Sequence, residues 1–168
     1  MPGPEAEFER VALCHSRSLL RVARRLTLNS AAAEDLVQDC LLLAWRNFHQ
    51  LRPESNVRAW LFRILVNAFY SQTRRSRRAA HLIARFQTPE GFSPQLDMAL
   101  EVSRALDSLH LDHRTVLLLG VVEGFTCSEM SEILSVPVGT IMSRLSRARQ
   151  AMRAKLTAPP ELAGKESS

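Results

Sequence analysis

The segment TCSEMSEILSVPVGTIMSRLSRARQAMR, residues 126–153, constrains the fold more than any other, because it predicts two short helices joined by a very tight turn. Thr126 and Glu129 have the spacing of a capping box, in which each side chain satisfies a backbone N–H group at the start of a helix. Pro137 has a fixed φ and no N–H donor, so it is tolerated only near the start of the second helix. The pattern is typical of a helix-turn-helix, whose second helix enters the major groove of DNA.

The second of these helices has an apolar stripe and a polar arc. Apolar residues recur at steps of three and four between Val138 and Met152, which places them on one side of the helix. The opposite arc and its flanks carry the candidate DNA contacts: Thr140, Met142, Ser143, Arg144, Ser146, Arg147 and Gln150. Arg147 is placed to bind a guanine edge and Arg144 to bind phosphate. A solvated basic face on an ordinary helical hairpin is the alternative interpretation.

The composition limits the size and the class of the protein. A chain of 168 residues, 46% of them hydrophobic, holds one medium domain or two small ones. A net charge of +5 favours a polyanionic partner but does not separate nucleic acid from an anionic membrane. No apolar run approaches the roughly 18 residues of a membrane span, and the polar, acidic N-terminus does not resemble a signal peptide. We therefore expect a cytoplasmic protein.

Three helices are predicted before residue 79. They run from Glu5 to Leu28, from Ala31 to about Gln50 and from Asn56 to about Arg78, and the pair Asn29-Ser30 caps the second. The second helix buries one wide apolar stripe, and its other side forms an acidic arc: Asp35, Gln38, Asp39, Leu42 and Arg46. This arc is either a docking site for another helix or a solvated face, since one exposed leucine is normal.

The third predicted helix is apolar over much of its circumference. Phe62, Val66, Phe69 and Tyr70 lie off the stripe that includes Trp60, Leu61, Ile64 and Leu65, so something else must cover or use them. The helix ends in four arginines that complement its dipole and offer phosphate contacts: Arg74, Arg75, Arg77 and Arg78. Aromatic rings among basic residues suit single-stranded nucleic acid, although the same rings also suit a core against the first helix.

The helical pattern weakens after residue 79 and resumes at Met98. Helices are predicted from Met98 to Leu109 and then from Asp112, as cap, to a left-handed Gly124. The sequence therefore predicts an all-α fold of two small helical domains, residues 1–79 and 98–156, joined by a flexible linker over 80–97, with a disordered tail over 157–168.

Catalytic and metal-binding signatures are not found in the sequence. It contains no phosphate-binding loop, no dinucleotide fingerprint, no H-E-x-x-H and no nucleophile elbow. Cys14, Cys40 and Cys127 are widely spaced without a C-x-x-C pair, so we interpret them as reduced small hydrophobes, with a redox or metal role as the alternative. We expect no enzyme, no cofactor and no metal.

Three segments follow one another along the chain: AEDLVQDCLLLAWRN from Ala33, NVRAWLFRILVNAFY from Asn56 and VEGFTCSEMSEILSVPVGTIMSRLSRAR from Val122. In this order they resemble the extracytoplasmic-function (ECF) sigma factors, the compact class of the bacterial sigma-70 family. With their flanking helices they span most of residues 5–156. The resemblance implies a sigma2-like helical bundle followed by a sigma4-like helix-turn-helix domain.

The resemblance also implies a role for each candidate residue. The acidic arc over Asp35, Gln38, Asp39, Leu42 and Arg46 matches the helix that binds the clamp helices of the largest subunit of core RNA polymerase. Asn56, Arg63, Asn67 and Arg74 match the region that opens the −10 element and holds a flipped base, which costs a few kcal/mol of stacking. The second helix of the helix-turn-helix, with its candidate DNA contacts, matches the reader of the −35 element.

The implied function is promoter recognition and transcription initiation together with core polymerase. The resemblance further implies control by an anti-sigma factor, for which the expected site is an exposed apolar surface either on Phe62, Val66 and Phe69 or on the second domain. Two positions depart from the family pattern: Met142 stands where Lys or Arg is common, and Ser135 where the turn usually carries Gly. A stand-alone helix-turn-helix regulator and a sigma-like adaptor that sequesters an anti-sigma factor are the alternative functions.

Overall fold

The computed structural model describes residues 3–52, 54–80 and 97–157. Eight α-helices run through these residues: α1 (Pro4–Ala12), α2 (Ser16–Thr27), α3 (Ser30–Asn47), α4 (Val57–Ala80), α5 (Asp97–Asp107), α6 (Leu111–Leu117), α7 (Cys127–Leu134) and α8 (Val138–Thr157). Helices α1–α4 form an N-terminal half and α5–α8 a C-terminal half. The predicted linker and tail lie almost wholly outside the described residues.

The predicted first helix is interrupted. A 3₁₀ turn, Leu13–His15, separates α1 from α2, whereas the sequence pattern predicted one helix from Glu5 to Leu28. The break lets Phe8 of α1 pack edge-on against Trp45 and Phe48, with ring centroids 5.2 Å apart in both pairs. The chain ends α2 at Leu28 in the left-handed conformation, with φ of 57°.

Helices α3 and α4 begin within one residue of their predicted starts, Ala31 and Asn56. The Asn29 side chain accepts a hydrogen bond from the N–H of Ala32, and the Asn56 side chain accepts one from the N–H of Ala59. Each asparagine thus satisfies an N–H group that the first turn of a helix leaves without a partner. Cys40 of α3 is buried against α4, where its Sγ lies 3.5 Å from the backbone oxygen of Leu61.

The helix-turn-helix forms as predicted, but the helix before it, α6, begins and ends differently from the prediction. Thr126 and Glu129 make the capping box at the start of α7, and Gly124 has a φ of +73°. The prediction that Asp112 caps α6 is wrong, because the cap is His110, whose Nδ1 accepts from the N–H of Asp112. A π-helical turn, Leu118–Val122, follows α6 and leads into the glycine.

The two halves share a core. Phe62 of α4 meets Phe125, just before α7, with ring centroids 5.1 Å apart, and α4 packs along α7. The expected exposed apolar surface on Phe62, Val66 and Phe69 is therefore wrong: all three are buried. Packing against the C-terminal half satisfies the requirement that something cover these rings.

Neither a membrane span nor a metal site is found among the described residues. No helix among them is long and apolar enough to cross a membrane. Likewise, no group of three or more His, Cys, Asp or Glu side chains within residues 3–52, 54–80 and 97–157 is arranged to hold a metal ion.

Replacing Ser135 with glycine should stabilise the protein. Ser135 ends α7 with a φ of 54°, a conformation that costs a residue with a Cβ roughly 1–2 kcal/mol but is open to glycine. After the larger entropy loss of glycine on folding, we expect Ser135→Gly to raise the free energy of unfolding by about 0.5–1 kcal/mol in urea titrations. Ser146→Gly, the same change inside α8, is the control and should lower it by about 0.5 kcal/mol. Equal effects of the two changes would contradict the role of the left-handed turn.

The cysteines should differ sharply in reactivity. Burial raises the pKa of Cys40 to about 12, whereas Cys14 is exposed. Because only the thiolate reacts with iodoacetamide, we expect rapid alkylation of Cys14 at pH 8 and almost none of Cys40 in the folded protein, as read by mass spectrometry of peptides. In guanidinium chloride both should react fully. Fast labelling of Cys40 under native conditions would show that α3 and α4 separate readily.

Candidate nucleic-acid interface

Helix α8 is fixed by burial of its predicted apolar stripe. Ile141, Leu145 and Ala148 are buried and face α6 and α7. The left-handed Ser135 reverses the chain, and its N–H donates to the backbone oxygen of Ser131, as the end of a helix requires. The turn between α7 and α8 therefore ends one helix and sets the direction of the next.

The candidate DNA contacts on α8 mostly lie on its outer arc. Met142, Ser143, Ser146, Arg147 and Gln150 are exposed, and the Met142 side chain is 59% exposed. Thr140 is half-buried, and its backbone oxygen accepts a hydrogen bond from Ser143. The arc thus combines an arginine, hydroxyls and an amide, the groups that read base edges and bind phosphate.

Arg144 differs from the other arginines of α8 because it is partly buried in an ion pair. Its Nη2 lies 2.9 Å from Oδ2 of Asp112, whose Oδ1 accepts from the hydroxyl of Tyr70 at 3.0 Å. Burial raises the pKa of Tyr70, so this hydroxyl stays protonated and able to donate. This network connects α8 to α4 through α6.

A second candidate surface is an open pocket of about 460 Å³ beside the start of α4. Arg63 and Asn67, both predicted as −10 contacts, are exposed and line it. Trp60 and Ile64 were predicted as core, but they are half-buried and form the apolar wall of the pocket. The remaining lining residues come from the end of α3 and the loop that follows: Asn47, Gln50, Leu51, Arg52 and Ser55. The pocket therefore places an indole ring beside basic and amide groups.

The two remaining candidates for the −10 element lie apart from this pocket. Asn56 is exposed at the start of α4, and its Nδ2 donates to Oε1 of Glu129 in α7 at 3.0 Å. Arg74 is exposed about five turns further along α4 and contacts Ser71 at 3.4 Å. The structure therefore brings together two of the four candidates.

The acidic arc of α3 is exposed throughout. Asp35, Gln38, Asp39 and Arg46 face solvent, and Leu42 is 57% exposed. Asp39 accepts a hydrogen bond from Gln72 of α4 at 3.2 Å. An open groove of about 620 Å³ runs beside the arc between α3 and α4 and exposes Leu42 and Leu43. An acidic rim beside apolar side chains is suited to docking a basic, amphipathic helix.

Glu123, which was not among the residues predicted from the sequence, lies between the two halves. Its side chain is only 1% exposed and is paired with two arginines of the N-terminal half: Arg21 at 2.8 Å and Arg58 at 2.9 Å. The Arg58 guanidinium also stacks 4.2 Å from the ring centroid of Phe125. The sequence feature that could have indicated a buried ion pair is the single carboxylate that follows the apolar run LLLGVV.

Comparison with known proteins agrees with this architecture. The family model for Sigma-70 region 2 matches residues 12–79, and the model for Sigma-70 region 4 matches residues 99–152. The ECF RNA polymerase sigma factor EcfG of Rhodopseudomonas palustris is 38% identical over 144 residues, which cover 83% of this chain and 79% of the relative. The ECF sigma factor SigM of Mycobacterium tuberculosis is 32% identical over 88% of this chain and 76% of its own length.

Solved structures show the same fold. The sigma factor RpoE of Bartonella quintana, crystallised with the anti-sigma factor NepR, superposes with a TM-score of 0.83 at 34% identity, covering 90% of this chain and 98% of that one. CnrH, in complex with the cytosolic domain of CnrY, gives a TM-score of 0.70 at 28% identity over 92% of this chain and 90% of its own. The chain belongs to the sigma-70 family and, within it, to the ECF RNA polymerase sigma factors. The resemblance seen in the sequence is confirmed.

Proposed function

We propose that this ECF sigma factor directs core RNA polymerase to promoters by dividing the work between residues 1–79 and residues 98–156. The first part binds the core enzyme and holds the −10 element, and the second binds the −35 duplex. The observation that carries the proposal is the exposed arc of α8, with Ser143, Ser146 and Arg147 pointing away from a well-packed helix-turn-helix. Polymerase supplies the chemistry, so the chain itself is not an enzyme and acts in the cytoplasm.

The −35 contacts are assigned to the outer arc of α8. Arg147 binds a guanine edge, and Ser143, Ser146 and Gln150 contact neighbouring bases. Thr140 and Met142 border this surface at the start of the helix. Arg144 reaches phosphate only if its ion pair with Asp112, at 2.9 Å, breaks when DNA binds. Its contribution to the DNA affinity is therefore smaller than that of an unpaired arginine.

The −10 contacts are assigned to the pocket beside α4. Its volume of about 460 Å³ lies within the usual range of small-ligand pockets, about 300–1,000 Å³, which supports capture of a flipped base. Trp60 offers a ring on which a base stacks, and Arg63 and Asn67 offer donors for its edge. Asn56 and Arg74 flank the path of the single strand, at the two ends of the exposed side of α4.

The core polymerase is proposed to bind along the acidic arc of α3. Asp35, Gln38, Asp39 and Arg46 would contact the clamp helices of the largest subunit. Leu42, 57% exposed, would insert between them, since an apolar side chain ringed by charges is typical of an interface centre.

An anti-sigma factor is the third proposed partner. Two solved relatives, RpoE and CnrH, are described in complexes of this kind, with NepR and with the cytosolic domain of CnrY, which supports such control here. The site first expected for it, on Phe62, Val66 and Phe69, is buried in this conformation. The inhibitor must therefore bind elsewhere or separate the two halves.

Two substitutions should reduce promoter-specific initiation for different reasons. Arg147→Ala removes a base contact worth about 1–3 kcal/mol, so we expect weaker and less selective binding of −35 duplex. Asp39→Arg places a cation against the clamp helices, so core binding should fail while −35 duplex binding persists. Run-off transcription with purified core polymerase, at a stated salt concentration, measures the first effect, and pull-down of core measures the second.

Arg10→Ala, a change to an exposed arginine of α1, serves as the control and should leave both readouts unchanged. Unaltered base preference in Arg147→Ala would overturn the reader assignment. Tight dimeric binding to DNA without any run-off product would favour the stand-alone regulator instead.

Met142→Lys should strengthen −35 binding and make it more sensitive to salt. The position lies on the exposed arc at 59% exposure, and a lysine there adds one phosphate contact. Each such contact steepens the slope of log K against log salt concentration by about 0.9. Fluorescence anisotropy with −35 duplex over a salt series measures this slope. Met142→Gln, which adds no charge, is the control, and an equal slope for both variants would show that residue 142 lies away from the backbone.

A further inference from the structure

Two apolar side chains near the start of α8 are exposed to solvent. Val138 is 40% exposed and Met142 is 59% exposed, whereas Ile141, between them in the sequence, is buried. The sequence pattern placed Val138 on the buried stripe of α8, and this prediction is wrong. Because the two residues are four positions apart, their side chains lie one above the other on the same side of the helix. We call this pair the apolar edge of α8.

The apolar edge continues into the surface proposed to bind the −35 duplex. Ser146 follows Met142 by four residues, so the two lie about 40° apart around the helix axis, and Ser143 lies about 100° from Met142. Both serines are exposed. In a helix-turn-helix the N-terminal residues of the second helix contact base edges in the major groove. An approach that brings these serines to base edges therefore brings Met142 to the wall of the groove.

The apolar edge has no group suited to phosphate or to the polar edge of a base. Valine has no polar side-chain atom, and the thioether of methionine is only a weak acceptor. The one apolar group that a base pair presents in the major groove is the C5-methyl group of thymine. Methionine suits contact with it, since its flexible and polarisable side chain adapts to an irregular surface. The chemistry of the edge therefore favours thymine.

Gly139, which follows Val138, leaves room for DNA to come close to this turn. It is exposed, and a Cβ added there would meet no protein atom within 4 Å. Its φ is not in the left-handed region either. Neither packing within the described residues nor backbone conformation therefore requires glycine, which is a weaker helix former than alanine. Glycine is favoured where the backbone closely approaches a ligand, and the exposed first turn of α8 faces the proposed DNA surface.

We propose that the apolar edge of α8 recognises the methyl group of a thymine in the −35 duplex, with Met142 as the residue that determines this preference. The inference rests on the proposed function, because it assumes that α8 enters the major groove of that element. Ser143, Ser146 and Arg147 select bases by hydrogen bonds. The apolar edge adds a preference of another kind, which separates thymine from cytosine because cytosine carries hydrogen at C5.

Replacement of thymine by uracil tests the contact, because uracil is thymine without its methyl group. Duplexes that bind the full chain are first selected from a random pool, and the enriched sequence is then remade with each thymine replaced in turn by uracil. Fluorescence anisotropy gives the dissociation constant of each duplex. At one position we expect the wild type to bind the uracil duplex about fourfold more weakly, the factor that corresponds to burial of one methyl-sized group. At that position 5-bromouracil, which has a bulky apolar atom at C5, should restore the affinity.

Met142→Gln and Leu156→Gln are the matched pair of variants. Glutamine is about as long as methionine but polar, so Met142→Gln should bind the thymine and uracil duplexes equally. Leu156 is an exposed apolar residue near the other end of α8, so Leu156→Gln should keep the fourfold difference. Circular dichroism establishes that both variants keep their helical content. The lysine of Met142→Lys has an apolar stem that also covers a methyl group, so its added charge is measured separately by the salt series.

Gly139→Ala should change stability and DNA binding in opposite directions. Alanine is the better helix former, so the urea concentration at the midpoint of unfolding should rise. The added Cβ would stand between the helix and the DNA, so the dissociation constant for the selected duplex should increase about fivefold or more. Affinity equal to that of the wild type would show that DNA does not come close to this turn, which overturns the proposal.

The uracil series separates failure of this inference from failure of the proposed function. Equal affinity of the wild type for every thymine and uracil duplex would overturn the methyl contact and leave −35 binding itself intact. A thymine preference that survives in Met142→Gln would overturn the role of Met142 in the same way. If selection enriches no sequence at all, the proposed function is refuted, and the inference that rests on it is refuted as well.

Discussion

A helix that is apolar around most of its circumference must be covered on more than one side, and α4 imposes this requirement on the whole structure. Leu61 and Leu65 are buried against α2 and α3, while Phe62 and Val66 need a second cover about 100° away around the axis. The C-terminal half supplies this cover through Phe125. The relation between the two halves is thus a consequence of the composition of one helix.

Electrostatics make that apolar contact specific. Hydrophobic burial alone has no direction, and two apolar faces tolerate several registers. A carboxylate that is 1% exposed between Arg21 and Arg58 permits only one, because any shift leaves a buried charge without a partner. Arg58 also lies over the ring of Phe125, so charge pairing and ring packing fix the same position of the two halves. Burial, together with the charge of Arg58, lowers the pKa of His15 nearby, which keeps a further positive charge away from this site.

The sequence predicts what local chemistry determines. The caps at Asn29 and Thr126, the left-handed Gly124 and the exposed arc of α8 follow from residues within one or two turns of each other, and the structure has all of them. The failures involve distant partners. Trp60 and Phe62 are both large and apolar, and only the position of α7 decides which one lines a pocket and which one is buried. The cap at His110 was missed because Asp112, the better capping residue, is engaged by Tyr70 and Arg144 instead.

Helix α4 carries the pocket and the contact with the C-terminal half on different sides of one helix. Trp60 and Arg63 line the pocket on one side, and Phe62 contacts the C-terminal half on the other. Because the helix separates the two sites, the C-terminal half covers its apolar face without occupying the pocket. The pocket beside α4 and the outer arc of α8 thus both stay open to solvent while the two halves are packed together.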